Sequence, residues 1–393
     1  MQKEIVIVSA ARTPIGNFGG FFKNIPATEL GAYAIKGALK RANLKSDAIQ
    51  EVLMGCVLPA GLGQAPARQA ALKAGLPNTT PCTTINKVCG SGMKSIMLAH
   101  DEIVAGSFQI VLAGGMENMS NAPYLIPHAR YGYRLGHATM YDHMMLDGLE
   151  DAYDKGKAMG DFAEMCVDRY QFSREQLDNF AKRSLIRAKQ ANEDGSFQAE
   201  IEPVSIIENK QAKNIEHDEI PFKVSPEKIS QLKPVFRADG KITAANASSI
   251  SDGAAAIILM SSNEAETRKI KPLAKMIAHY SYAHEPAWFT TAPVNAIQGV
   301  LKKANWSLDE VDLFEINEAF SAVALVAIKD CGIDIEKVNI HGGATALGHP
   351  IGASGTRIVV TLLHALKKQN LRRGIAAICI GGGEATAIAV EIL

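Results

Sequence analysis

Apolar residues along this chain come in two rhythms. Short, nearly continuous apolar runs, half of them ending in glycine, recur at both ends: "IVIVSA" (5–10) and "IVLAGG" (110–115) early, then "LAKMIAHYSY" (273–282), "LFEI" (313–316), "VNIHGG" (338–343) and "AAICIGGG" (376–383) late. Runs of this length read as buried strands, and the stretches between them repeat every three to four residues as helices do. Strand and helix alternating in this way predict an α/β chain. The two ends also share an order. A strand ("EVLMGCVLP", later "VDLFEINEAF") precedes a glycine-rich loop that feeds a helix, and a strand ending in Gly-Gly follows. That order predicts a duplicated α/β core.

The middle of the chain has a different texture. Residues 130–157, "RYGYRLGHATMYDHMMLDGLEDAYDKGK", are rich in Met, Tyr, His and charge and hold few strand-like runs. One helix is clear: Ser173 and Gln176 form a capping box, with Leu177, Phe180, Ala181, Leu185 and Ala188 on one face and an end near Gly195. The expected organisation is a first core half at 1–119 with 250–270, an inserted, mostly helical loop domain at 120–249, and a second core half at 271–393. Tyr, Leu and Met residues between Tyr124 and Met145 follow neither period, which predicts an oligomer contact.

Composition narrows the function. The 393 residues carry 41 Lys+Arg against 41 Asp+Glu, so no net field attracts nucleic acid. The apolar stretches "AAAIILM" and "SAVALVAI" are too short to span a bilayer. The first ten residues, "MQKEIVIVSA", enter a strand pattern without a targeting segment. Six scattered cysteines without a CxxC pair suit free thiols in a reducing compartment. A cytoplasmic protein is expected. No metal-ligand spacing is found, and "GLGQAP" (61–66) lacks the third glycine and acidic partner of a dinucleotide loop.

The candidate chemistry begins at "TTINKVCGSGMKSIMLAH" (83–100), where a strand-like start reaches Cys89 and a helix with Met93, Ile96 and Met97 on one side follows. A helix N-terminus favours thiolate over thiol and stabilises an oxyanion formed beside it. Gly90 and Gly92 are expected to let a substrate carbonyl approach the backbone. Cys56, Cys166 and Cys331 have no such setting. A thiol nucleophile needs a base, and "HGGATALGHPIGASGTRIVVTLLHAL" (341–366) supplies His341 and His349 in a loop and His364 on a helix. Taken alone, Cys379 reads as a structural thiol and Asn317 as a helix cap.

"NKVCGSGMKS", "NEAFSA", "GGATALGHPIGASG" and "CIGGGEATA", in this order and spacing, resemble the thiolase family, and the likeness runs from "SAARTPIGNFGG" to the last strand. The resemblance implies a layered αβαβα fold and transfer of an acyl group between acyl-CoA molecules, with coenzyme A as substrate and no further cofactor. It implies that Cys89 carries the acyl group, that His349 takes its proton and that Cys379 removes the α-proton of a second acyl-CoA. Backbone N–H groups of Cys89 and Gly381 would hold one oxyanion; His349 and a water on Asn317 would hold the other. Ala247 and Ser248 in "TAANASSISDGAAA", Met159, Lys223 and Phe289 would contact the acyl-CoA. The chain departs from the family at Ala158, Phe222, Ala245, Ser249 and "EPAWFTTAP", where Trp288 and Phe289 are expected to wall a short acyl group. Family members acting on acetyl-CoA are the nearest in pattern and commonly form homotetramers. A longer-chain degradative thiolase and a non-catalytic acyl-CoA carrier are the alternatives.

Overall fold

The computed structural model describes residues 3–208 and 210–393. Nine strands form one path: β1 (Ile5–Arg12), β2 (Glu51–Gly55), β3 (Cys82–Ile85), β4 (Ile110–Asn118), β5 (Ser251–Ser261), β6 (Ala274–Ala283), β7 (Leu313–Ile316), β8 (Arg373–Ile380) and β9 (Glu384–Ile392). Their spatial order is β7-β8-β9-β6-β1-β5-β4-β2-β3, and Gly16–Asn17 adds a short pairing to β5. The first half thus runs β3-β2-β4-β5-β1. The second repeats the same winding, as β7-β8-β9-β6 with its third strand missing. "VNIHGG", expected as that strand, is a turn that touches the sheet at one bridge, Phe314 to Val338. Asn339 takes over its role at the sheet edge: it donates to Ile316 O at 2.9 Å and accepts from Ile316 N at 2.8 Å. A side chain therefore satisfies the backbone that a strand would have paired.

Within the sheet the halves join, among the described residues, through two residue pairs of β1 and β6, Val6 with Lys275 and Ile7 with Ala274. Alternation along the strands then sorts side chains into layers. Val52, Met54, Ile110 and Leu112 face α1 (Ala27–Ala42) and α2 (Pro66–Lys73). On the opposite face Leu53, Val111, Ala376 and Ile378 pack on two central helices, Ser91–Ala105 and Ile351–Gln369. Ile375 and Ala377 turn outward to the helices Ala292–Ala304 and Ser321–Cys331. The result is the layered αβαβα arrangement, with both halves of the sheet burying the same central helix pair.

Residues between β4 and β5 form helices Met159–Tyr170 and Arg174–Glu193, a hairpin of Val204–Glu208 with Gln211–Ile215, and short turns. Ser173 and Gln176 make the expected reciprocal capping box. A buried ionic cluster ties this segment to the sheet: Arg12 on β1 donates to Glu200 Oε1 at 2.5 Å and to both Asp218 oxygens at 2.7 and 3.0 Å. Tyr131 is 85% and Leu135 99% exposed, so the apolar side chains there have no partner within the chain. Among the described residues, no helix is long and apolar enough to cross a membrane.

Candidate active site

Cys89 sits at a forced corner. Val88 adopts φ 46°, a left-handed conformation that costs a β-branched residue, and the helix begins two residues beyond Cys89 with Gly90 as its N-cap. Lys87 anchors the corner through its backbone N–H to Ser91 Oγ (2.8 Å) and through an ion pair with Glu384, next to the Gly381–Gly383 loop. The flanking glycines are also required by packing. A Cβ on Gly92 would lie 2.7 Å from Thr356 Oγ1, and one on Gly90 2.4 Å from Ile380 Cδ1. Gly92 lets the two central helices approach at backbone distance, and Gly90 leaves room for the Ile380 side chain at the end of β8.

The sulfur of Cys89 opens on a cavity of about 430 Å³. His349, Gly381, Met159, Ala247, Ser248 and Phe289 line it with Cys89, together with Leu149, Phe236 and Phe320. Cys379 lies behind this surface, fully buried, close enough that a charge on Cys89 acts on it. Asn317 reaches the site through His349: its Nδ2 is 3.5 Å from Nε2 of that ring, and its Oδ1 is buried without a protein partner. The helix after Asn317 starts only at Ser321 with Phe320 as N-cap, so the cap reading fails.

Electrostatics at the site run against one expectation. Burial raises the Cys89 thiol to about 11, although the N–H groups of Gly381 and of Cys89 itself stabilise its anion. The helix start therefore does not give a resting thiolate; desolvation wins. Burial, with a contribution from Arg357, lowers His349 to about 3, so its ring is neutral. Cys379 is held protonated by burial and then by Cys89. The site pairs a neutral thiol with a neutral imidazole, and a proton must move during reaction.

Three side chains that the sequence reading missed set this geometry. Glu117, at the end of β4, accepts from the N–H groups of Val57, Leu58 and Gly352 (3.0, 3.2 and 2.9 Å), holding the start of the second central helix. Glu318 accepts from Ser184, Asn339 and Thr345, which fixes the loop that leads to His349. Ser354 holds the His349 ring. The available signal was an acidic residue inside an otherwise apolar strand end, in "GGMEN" and "FEINEAF".

Other candidates lie elsewhere. His341 is buried edge-on to Phe197 (5.7 Å) and does not line the cavity. His364 faces Ala10 O at 3.2 Å. Lys223 is not among the lining residues; it pairs with Glu219 and lies over the Phe21 ring. Trp288, expected in the acyl wall, instead stacks on the Arg169 guanidinium at 4.5 Å. Phe289 alone of that pair faces the cavity.

Comparison with known proteins agrees with this architecture. Residues 5–263 match the family model "Thiolase, N-terminal domain" and residues 270–392 match "Thiolase, C-terminal domain". An acetyl-CoA acetyltransferase of Schizosaccharomyces pombe is 47% identical over 393 residues, covering 100% of this chain and 99% of that protein. One of Cupriavidus necator is 48% identical over 396 residues, covering 99% of each. A crystal structure of the Bacillus anthracis acetyl-CoA acetyltransferase superimposes with a TM-score of 0.97 at 40% identity, covering 100% of this chain and 99% of that one.

Proposed function

Since the chain belongs to the thiolase family, we propose that it is an acetyl-CoA C-acetyltransferase, joining two acetyl-CoA reversibly into acetoacetyl-CoA and CoA through an acetyl-Cys89 thioester. The observation that supports this reading is that Cys89, His349 and Gly381 line one cavity, with Cys379 buried within electrostatic reach of Cys89. Neutral His349 takes the Cys89 proton as sulfur attacks the first thioester. The Cys89 and Gly381 N–H groups, which lie beside the sulfur, are assigned to the oxyanion that develops on the attacked carbonyl; each such donor is worth roughly 10²-fold in rate. The leaving CoA thiolate takes the proton of Cys379, so His349 keeps its Nε2–H. The Cys379 thiolate then removes the α-proton of the second acetyl-CoA, and the enolate oxygen accepts from His349 Nε2–H and from a water on Asn317. The enolate carbon attacks the acetyl-Cys89 carbonyl, and the departing Cys89 sulfur takes the proton back from His349.

The order of steps has a physical basis in the paired sulfurs. Acylation turns Cys89 from a thiol that could ionise into a neutral thioester, so a Cys379 thiolate then has no Cys89 anion beside it. Coenzyme A enters as substrate, and the scheme uses only side chains, backbone amides and a water. Phe289, Phe236 and Phe320, with ring centroids 6.3 and 6.5 Å from the central Phe320, crowd the acyl end and favour acetyl over long chains. Exposed Tyr131, Leu135 and Met140 support a homotetramer, six free cysteines support a cytoplasmic setting, and the acyl-CoA reaction itself is what suggests fatty acid metabolism.

The test separates the two thiols. Wild type mixed with acetyl-CoA and denatured should carry one acetyl, on Cys89, by intact mass and peptide mapping. Cys379→Ser should acetylate normally and condense very slowly. Loss of acetylation in Cys379→Ser as complete as in Cys89→Ala would overturn the assignment.

A further inference from the structure

The cleft beside the C-terminal end of the first central helix gathers three metal-ligating side chains that no sequence spacing connects. His100 and Asp101 are neighbours on helix Ser91–Ala105, and His279 lies on β6, in the other half of the core. Nδ1 of His100 is 3.0 Å and Nε2 of His279 is 2.8 Å from the same Asp101 Oδ1, and all three ligand atoms lie within 4.8 Å of one another. A tetrahedral zinc ion bound at 2.0–2.2 Å sets its donor atoms about 3.4 Å apart. Two edges of the triangle would need to open by roughly half an ångström and the third, between the histidine nitrogens and at most 4.8 Å, to settle near the same length, by side-chain torsion.

Two imidazoles and one carboxylate are the donor set of a borderline divalent ion rather than of Ca²⁺ or Mg²⁺. In the metal-free chain His100 Nδ1–H and His279 Nε2–H donate to Asp101 Oδ1, and an ion bound there takes the place of those two protons, which the neutral rings then carry on their other nitrogens. The cleft also carries lysines, and these are engaged: Lys275 pairs with Glu4 at 2.8 Å, Lys303 lies over the Tyr280 ring at 5.6 Å, and Lys3 reaches Ile103 O at 3.5 Å. One face of Asp101 is open to solvent, which leaves room for water ligands.

We propose that His100, Asp101 and His279 form a binding site for a zinc-class divalent ion that clips the first central helix to β6. The same helix begins at the Cys89 corner, about 16 Å away at 1.5 Å per residue, so the ion takes no part in acyl transfer. Its effect is on stability, since an ion that binds only the folded chain shifts unfolding by mass action.

Co²⁺ titration of the full-length protein, followed by visible absorption, tests the site. The expected result is one Co²⁺ per chain with d–d bands and no sulfur-to-cobalt band in the near ultraviolet. The midpoint of thermal unfolding should rise in Zn²⁺ relative to EDTA. His279→Gln and Asp101→Asn, each nearly isosteric, should weaken Co²⁺ binding at least about tenfold, abolish the Zn²⁺-dependent rise and leave acyl-transfer activity unchanged. Unchanged binding in both variants, a sulfur charge-transfer band marking capture by cysteine, or no binding at 100 μM metal would each overturn the proposal.

Discussion

His349 Nδ1 and Ser354 Oγ lie 2.5 Å apart, and the same hydroxyl is 2.9 Å from Pro350 O. Because the carbonyl can only accept, the hydroxyl donates to it and accepts from Nδ1–H. That fixes the imidazole tautomer with Nε2 bare, the state required to take a proton from Cys89.

Removing the hydroxyl should release the ring. Ser354→Ala leaves Nδ1–H without its acceptor in a buried site, a loss of about 1–2 kcal/mol, or roughly tenfold in the acylation rate. Nitrogen-15 spectra of labelled histidine should show a single Nδ1–H form for His349 in wild type and a mixture in the variant. A pure Nδ1–H signal in Ser354→Ala would show that the hydroxyl does not choose the tautomer.

The pH dependence follows from two opposed shifts. Cys89 titrates at about 11 and His349 at about 3, so between pH 5 and 9 neither group changes charge in the free enzyme. Acetylation of Cys89 by acetyl-CoA should be flat from pH 5 to 7 in rapid-quench measurements. Alkylation by iodoacetamide, which needs the thiolate, should climb about tenfold per pH unit from 7 to 10 without a plateau. A plateau near pH 8 would mean a resting thiolate–imidazolium pair.

Acyl length should respond to one ring. Phe289 is 3% exposed and faces the cavity. In wild type, kcat/KM for thiolysis of acetoacetyl-CoA should exceed that for 3-oxodecanoyl-CoA at least about tenfold, since overpacking costs about 1–3 kcal/mol. Phe289→Leu should narrow that ratio. Equal efficiencies in wild type would favour the longer-chain reading.

The buried cluster around Arg12 should dominate the stability of the segment between β4 and β5. Asp218 also accepts from the Ile15 N–H at 2.8 Å, so Asp218→Ala leaves a buried guanidinium half-paired. A loss of about 3–5 kcal/mol is expected, seen as a lower thermal midpoint. The same substitution at exposed Asp154 should change little, because its pair with Lys157 is solvated.

Local physics made much of this protein legible from its residues. Apolar runs gave the strands at both ends, the capping box of Ser173 and Gln176 gave its helix, and motif order gave the duplicated core and the family. Those features depend on neighbours in sequence, where period, propensity and capping act. What escaped depends on groups far apart in the chain. "VNIHGG" is apolar enough for a strand, yet Asn339 satisfies the edge of β7 from outside and the strand never forms. Cys89 has a helix start, which by itself favours a thiolate, but enclosure by both halves of the core costs more than the amides return. Trp288 and Phe289 are adjacent and alike in sequence, and only the packing of Arg169 and Phe320 sends one outward and the other into the cavity. Glu117, Ser354 and the His100–Asp101–His279 triangle have no sequence spacing, because each gains its meaning from partners brought beside it when the two halves close on the central helices. Desolvation and long-range pairing are properties of the closed fold, and the tertiary structure alone decides them.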